Sequence, residues 1–288
     1  MFGGNITQSS KNLYTSNIKR LNNGEIPKTP NFLKDFDKIN SIIEKYSANT
    51  KKSYYISIVS YLKEKKVPKK VKDYWNEKML SANKKYLETS DEKTQKQKDN
   101  WLSWDEVLDI HKKEKETLPK KVSNEKDYLK CLSYLVLSLY VLISPRRIKD
   151  YHEMMVIPEY KEGMSKEHNY LDVKNKKFIF NNYKTKGAYG QQVEEIPKEL
   201  FDILKKMIIP KEKNFEPRDM ITTYEGVKPA SNYITRLLNS VFKKNVSASL
   251  LRNIFVSHKL GNSKNQAKEL AQEMGSSVNV LNNVYNKD

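Results

Sequence analysis

The 288-residue chain contains a single cysteine, Cys131. That excludes a disulfide within the chain and any cysteine-based zinc site. Its four histidines, His111, His152, His168 and His258, are scattered and form no H-E-x-x-H pair. Only nine glycines occur, and none falls in a G-x-x-x-x-G-K-[ST] or G-x-G-x-x-G pattern, so neither a P-loop ATPase nor a dinucleotide enzyme is expected. No apolar run approaches the ~18 residues of a membrane span, and the opening stretch shows no charged-then-apolar signal pattern. Arginine is scarce as well. Arg20, Arg146, Arg147, Arg218, Arg236 and Arg252 stand against 47 lysines.

What the chain has in excess is positive charge. Lys and Arg total 53 and Asp and Glu 35, for a formal net charge of +18. Such a surface points to a polyanion, and nucleic acid is the commonest one. Residues 1–100 carry 21 basic and 11 acidic side chains, more than half of the net excess. Where lysine is this abundant, each one says little. An arginine says more, because its planar fork can hold a phosphate through two hydrogen bonds.

The length suits two domains. Residues 1–30, rich in Asn, Ser, Gly and Lys, read as a flexible N-terminal arm. Residues 31–98 read as a small helical unit. Phe32, Leu33, Phe36, Ile39, Ile42, Ile43 and Tyr46 recur at helical spacing, as do Tyr54, Tyr55, Ile58, Val59 and Leu62, then Val71, Tyr74, Trp75 and Leu80. Between the second and third runs, Lys65, Lys66, Lys69 and Lys70 flank Val67-Pro68. They form either a solvated turn or a contact with a phosphate backbone. A second domain, 99–288, opens on a capping box, Ser103 with Glu106. Leu129–Ile143 reads as a buried helix ending before Ser144-Pro145-Arg146-Arg147. Three short strands follow at Tyr170–Val173, Lys177–Phe180 and Gln192–Ile196, with turn signals between them. Helices are expected at 198–208, 229–243, 249–260, 264–273 and 277–284. The fold class is mainly α with a small antiparallel sheet.

Four segments could carry chemistry: Ser144-Pro145-Arg146-Arg147-Ile148-Lys149-Asp150, Tyr183-Lys184-Thr185-Lys186-Gly187, Ser249-Leu250-Leu251-Arg252, and Met274-Gly275-Ser276-Ser277 with Tyr285. Each has an ordinary reading too. Arg147 could cap the preceding helix, Arg252 could sit in a buried ion pair, Lys184 and Lys186 could be solvated turn residues, and Tyr285 could be a packing tyrosine.

Taken in order and spacing, these segments resemble the tyrosine site-specific recombinases, the phage-type integrases. Arg147-Ile148-Lys149-Asp150 is similar to the context of the family's first catalytic arginine, and Lys184-Thr185 to that of its hairpin lysine. Leu251-Arg252 with Phe255 and His258 is similar to the block around the second arginine. Met274-Gly275-Ser276-Ser277 is similar to the L-G-H-S block, and Tyr285 follows Ser276 at the spacing of the nucleophile. The likeness spans roughly residues 31–288. Two positions depart from it. Ser249 and Ser276 stand where the family usually has histidine, and histidine or tryptophan. A serine hydroxyl can donate to a phosphate but is neither a cation nor a base near neutral pH.

The resemblance implies an α+β catalytic domain behind a helical core-binding domain. It also implies DNA strand cleavage and rejoining through a 3′-phosphotyrosine on Tyr285, independent of metal and ATP. Arg147 and Arg252 would neutralise the phosphate, Lys184 would protonate the leaving oxygen, and Ser249 and Ser276 would complete the pocket. Arg146 and Lys186 would contact DNA. No cofactor is expected, and the partners implied are double-stranded DNA and a homo-tetramer on paired sites, with no membrane. A viral or mobile-element integrase is the expected setting, wherever the target DNA lies. A catalytically weakened DNA-binding protein of the same fold, or a type IB topoisomerase, would share most of these features.

Overall fold

The computed structural model of the chain describes Phe2, residues 6–90, 92–260 and 267–281, and Tyr285, with the side chains at 89, 90, 268 and 279 excepted. The chain forms two compact units, Met1–Asp91 and Glu92–Asp288.

The first unit is helical. It comprises α1 (Gln8–Leu21), a 3-10 turn at Pro30–Lys34, α2 (Phe36–Ile43), α3 (Ala48–Leu62) and α4 (Lys69–Ser90). Its core is the apolar periodicity visible in the sequence: Leu33, Ile39, Ile43, Tyr54, Tyr55, Ile58, Tyr61, Leu62, Val71 and Trp75. Trp75 is fully buried, and its indole N–H donates to the Leu33 carbonyl at 2.9 Å. The flexible arm expected over 1–30 needs correction for residues 8–21. Thr7 caps a helix there, and Ile18 and Leu21 are buried in this core. Asn17 adds a buried hydrogen bond to Ser57 at 3.0 Å. The polar face of α1 dominates its composition and hides the two apolar anchors. Lys66, Lys69 and Lys70 are exposed at the α3–α4 turn, while Lys65 is half-buried over the Tyr61 ring, 5.3 Å from its centroid.

The second unit is mostly helical around one small sheet. Its elements run α5 (Gln95–Asn100), α6 (Trp104–Glu116), α7 (Glu125–Val141), α8 (Ile148–His152), β1 (Met154–Ile157), β2 (Asn169–Asp172), β3 (Lys177–Phe180), α9 (Lys186–Tyr189), β4 (Gln192–Glu195), α10 (Lys198–Met207), β5 (Arg218–Asp219), α11 (Asn232–Phe242), α12 (Ala248–Leu260), α13 (Ala267–Glu273) and α14 (Val278–Val280). The capping box at Ser103 and Glu106 is present and starts α6. Helices expected over 264–273 and 277–284 fall partly outside the described residues, at 264–266 and 282–284.

The sheet order is β4-β3-β2-β1-β5. It is mixed, which corrects the expectation of an antiparallel sheet. β2–β3, β3–β4 and β1–β5 are antiparallel, but β1 and β2 run parallel, with Met154 opposite Asn169 and Ile157 opposite Asp172. The long 158–168 connection carries the chain back to the starting end of the sheet, as a parallel pair requires. β1 was missed because Met154-Met155-Val156-Ile157 is a short apolar run with no alternation, and such runs do not separate strand from helix. The turn expected between the second and third predicted strands is instead the short helix α9.

Trp75 joins the 3-10 turn to α4 through both packing and a hydrogen bond, so truncating it should be costly. Trp75→Ala is expected to lower the stability of the first unit by about 3–5 kcal/mol, read as a shift of its urea transition followed by circular dichroism. A shift worth less than about 1 kcal/mol would contradict this packing.

Candidate active site

Three joints of the second unit converge on one place: the α7–α8 link, the loop after β3, and the end of α13. The α13 end is fixed by backbone chemistry. Gly275 has φ +54, its N–H donates to Gln272 O at 3.0 Å, and the Ser276 N–H donates to Ala271 O at 2.7 Å. This pair of bonds, with a left-handed residue between, is a Schellman ending and favours glycine. A Cβ here would also lie 2.5 Å from Arg146 Nη2 and 3.2 Å from Tyr183 Cδ2, so a side chain would have to displace the Arg146 guanidinium.

Arg146 is buried, at 1% exposure. Its Nη1 donates to the Glu273 carbonyl at 3.0 Å and its Nη2 to Gln192 Oε1 at 2.9 Å, and its Nε lies 3.4 Å from Asp150 Oδ2. The guanidinium also lies over Phe180, 3.8 Å from the ring centroid, and 4.9 Å from that of Tyr183. A DNA-contacting role for Arg146 is therefore corrected. The side chain is a pin between the α7–α8 link, β4 and the end of α13, and it has no surface to offer a duplex.

Arg147, the N-cap of α8, is half-buried and donates from Nη1 to the Gly275 carbonyl at 2.7 Å. The same carbonyl accepts from Thr185 Oγ1 at 2.6 Å. One oxygen thus ties the first expected arginine to the loop that carries Lys184. Asn169 holds that loop from below. Its Nδ2 donates to Asp150 O at 2.9 Å and Asn182 O at 3.1 Å, and its Oδ1 accepts from the backbone N–H groups of Asn181 and Asn182 at 2.9 and 2.8 Å. Lys184 and Lys186 are both exposed on the loop, and Lys186 begins α9.

Arg252 comes from a different direction, one turn into α12, whose start is capped by Ser247 Oγ accepting from the Leu250 N–H at 3.2 Å. It is 1% exposed, yet Nε, Nη1 and Nη2 have no hydrogen-bond partner among the described residues. Its guanidinium carbon lies 4.6 Å from the centroid of the Tyr285 ring. Burial pushes the Arg252 pKa down, and the neighbouring Arg147 charge adds to that. Asp150, 1% exposed, is pushed up by burial and pulled back by Arg146, Arg252 and Arg147 together. The Ser276 hydroxyl is fully buried and also lacks a partner among the described residues. Buried polar groups are ordinarily paired, so among the described residues these donors are exceptions.

Of the residues expected from sequence, Arg252 lies against the Tyr285 ring and feels the charge of Arg147, and Arg147 bonds to Gly275, the residue before Ser276, with Lys184 next to the tie at Thr185. Ser249 is exposed on the first turn of α12, three residues before Arg252 and so on a neighbouring face. Lys65, Lys66, Lys69 and Lys70 belong to the first unit. Thr185 and Gly275 lie within the segments expected to carry chemistry but had no role of their own there, and Asn169 lies outside those segments. A glycine just past a helix is a recognisable ending signal, whereas nothing in the sequence marks the Asn169 clamp. Among the described residues, no group of three or more His, Cys, Asp or Glu side chains could hold a metal ion, and no helix is long and apolar enough to cross a membrane.

No protein-family model matches the chain, and no curated protein matches it. Among solved structures, a XerA recombinase is similar to it over 97% of this chain and 85% of that one, at 14% identity and a TM-score of 0.42.

The margin of the site carries a carboxyl that titrates near neutrality. Burial pushes Glu194 up to about 7, Arg146 opposes the shift, and Glu273 adds to it. A carboxyl raised in the folded state stabilises most while protonated, and its contribution fades as pH rises through the folded value. Between pH 5 and pH 8 the chain is expected to lose about 1–2 kcal/mol relative to Glu194→Gln, less than full burial would give because the side chain keeps some contact with water. Parallel stability–pH curves for the two proteins would contradict this.

Proposed function

We propose that this chain is a DNA-cleaving and rejoining enzyme of the tyrosine-recombinase type, an integrase acting on double-stranded DNA. The observation that carries the reading is the Arg252 guanidinium, buried beside Tyr285 with all three nitrogens unpaired among the described residues. A fork of fixed donors at a dry position suits the non-bridging oxygens of a phosphodiester, where charge builds as a nucleophile attacks. Arg147, tied to the Gly275 carbonyl through one nitrogen only, can offer a second fork.

The reaction then follows from the groups present. The Tyr285 hydroxyl oxygen attacks phosphorus as its proton passes to solvent water. The bond from phosphorus to the 5′-oxygen breaks, leaving a 3′-phosphotyrosine, and the departing oxygen takes a proton from Lys184. Rejoining reverses these steps, with a 5′-hydroxyl attacking the phosphotyrosine. Because the covalent link conserves the phosphodiester, rejoining draws on no external energy source. The Ser276 hydroxyl would donate to the phosphate, while the exposed Ser249 contributes least. The lysines of the first unit would hold the DNA backbone without reading sequence. Under this reading the working form is a homo-tetramer on paired DNA sites.

The exposed Ser249, with no imidazole to offer, favours one second reading, a DNA-binding protein of the same design that no longer cleaves. Incubating the chain with nicked duplexes from the DNA flanking its own gene separates the two. The enzyme reading expects a denaturation-resistant protein–DNA adduct, lost in Tyr285→Phe and reduced by about 100- to 1,000-fold in Arg252→Ala. Salt-sensitive DNA binding with no adduct, or an adduct undiminished in Tyr285→Phe, would overturn it. Relaxation of supercoiled plasmid without site preference would point to a topoisomerase instead.

A further inference from the structure

A cavity of about 920 Å³ opens at the other end of the sheet from the candidate active site. Strand β3 shows the separation. It ends at Phe180, on which Arg146 lies, and it starts at Lys177, next to Lys176 of the cavity wall. Val173, Phe201, Ile209 and Phe215 give the cavity an apolar wall. Its volume falls within the range of about 300–1,000 Å³ typical of small-molecule sites.

The rim carries six lysines against Glu159, Asp202 and Glu212, a net positive balance, and part of it is uncommitted. Lys174 is paired with Glu159 at 2.7 Å, Lys206 donates to the Pro119 carbonyl at 3.2 Å, and Lys176 lies over the Phe201 ring, 5.3 Å from its centroid. Lys205, Lys211 and Lys213 are exposed, and their side chains have no ion pair or hydrogen bond among the described residues. Three free ammonium groups beside an apolar, aromatic wall set two requirements. The ligand needs several negative charges at one end and a flat ring at the other. A fatty acid or a simple carboxylate has too little charge, and inorganic phosphate has no ring.

We propose that this cavity binds a free nucleoside triphosphate, with the base against Phe201 and Phe215 and the phosphates held by Lys205, Lys211 and Lys213. Lysine ammonium groups serve phosphates as point charges, and aromatic side chains accept any base by stacking. The site does not use Arg147, Arg252 or Tyr285, so it stands or falls separately from the cleavage reaction.

Isothermal titration of the full chain, without DNA and at physiological salt, tests this. Each of the four common nucleoside triphosphates is titrated, then inorganic tripolyphosphate. The expected result is saturable one-site binding of at least one nucleotide, with tripolyphosphate roughly tenfold weaker. Lys211→Glu with Lys213→Glu, and separately Phe215→Leu, should each weaken nucleotide binding by about tenfold. Arg252→Ala should leave it unchanged. Absence of saturable binding at millimolar nucleotide would overturn the proposal. So would tripolyphosphate binding as tightly as the nucleotide, or a loss of binding in Arg252→Ala with none in the lysine variants.

Discussion

A guanidinium buried without a hydrogen-bond acceptor is among the more costly arrangements a protein can hold, because the cation has lost the hydrogen bonds it made to water. Arg252 is in that position among the described residues, with the Tyr285 ring as its recorded neighbour and Asp150 acting on it only through its charge. Among the described residues, no hydrogen-bond acceptor meets the fork. Tyr140 beside it is fully buried, and burial raises its pKa, so its hydroxyl stays neutral and offers no counter-charge. Asp150, a carboxyl among the described residues whose charge acts on Arg252, is paired with Arg146 at 3.4 Å. An acceptor brought from outside would relieve the cost, and a phosphodiester has the charge and the oxygens to do so.

The two adjacent arginines of the α7–α8 link divide the labour. Arg146 turns its hydrogen bonds inward to Glu273 and Gln192, its Nε to an ion pair with Asp150, and its face to Phe180 and Tyr183. Arg147 spends one bond on Gly275. Both depend on the turn after α13. The left-handed Gly275 presents its carbonyl to Arg147 and Thr185 and leaves room for Arg146. A single backbone turn therefore sets the spacing between the first arginine, the Lys184 loop and the buried Ser276 hydroxyl.

The helices were legible in the sequence wherever one apolar face repeats. The core of the first unit is the run Leu33, Ile39, Ile43, Tyr54, Ile58 and Trp75, and α6 begins at the expected capping box. α1 was not legible, since two buried apolar residues, Ile18 and Leu21, in a polar stretch give little periodicity. The parallel pairing of β1 with β2 was hidden because register and direction depend on a long connection rather than on the strands. In the candidate site, the order and spacing of Arg147, Lys184, Arg252 and Tyr285 were proposed from the sequence, and the structure places Arg252 against the Tyr285 ring. Which of Arg146 and Arg147 faces inward was settled by partners 46 and 127 residues away in sequence, a distance at which no local pattern operates.

The central claim is that Arg252 is kept for a ligand and not for the fold. The most direct measurement is the unfolding free energy of the free chain and of Arg252→Met, by chemical denaturation without DNA. Methionine fills much of the same space, keeps a favourable contact with the Tyr285 ring, and removes a cation that has no partner. The account expects Arg252→Met to be as stable as the natural chain or more stable by about 1–2 kcal/mol. A loss of about 2 kcal/mol or more would show that the guanidinium is already paired within the protein, and would contradict the account.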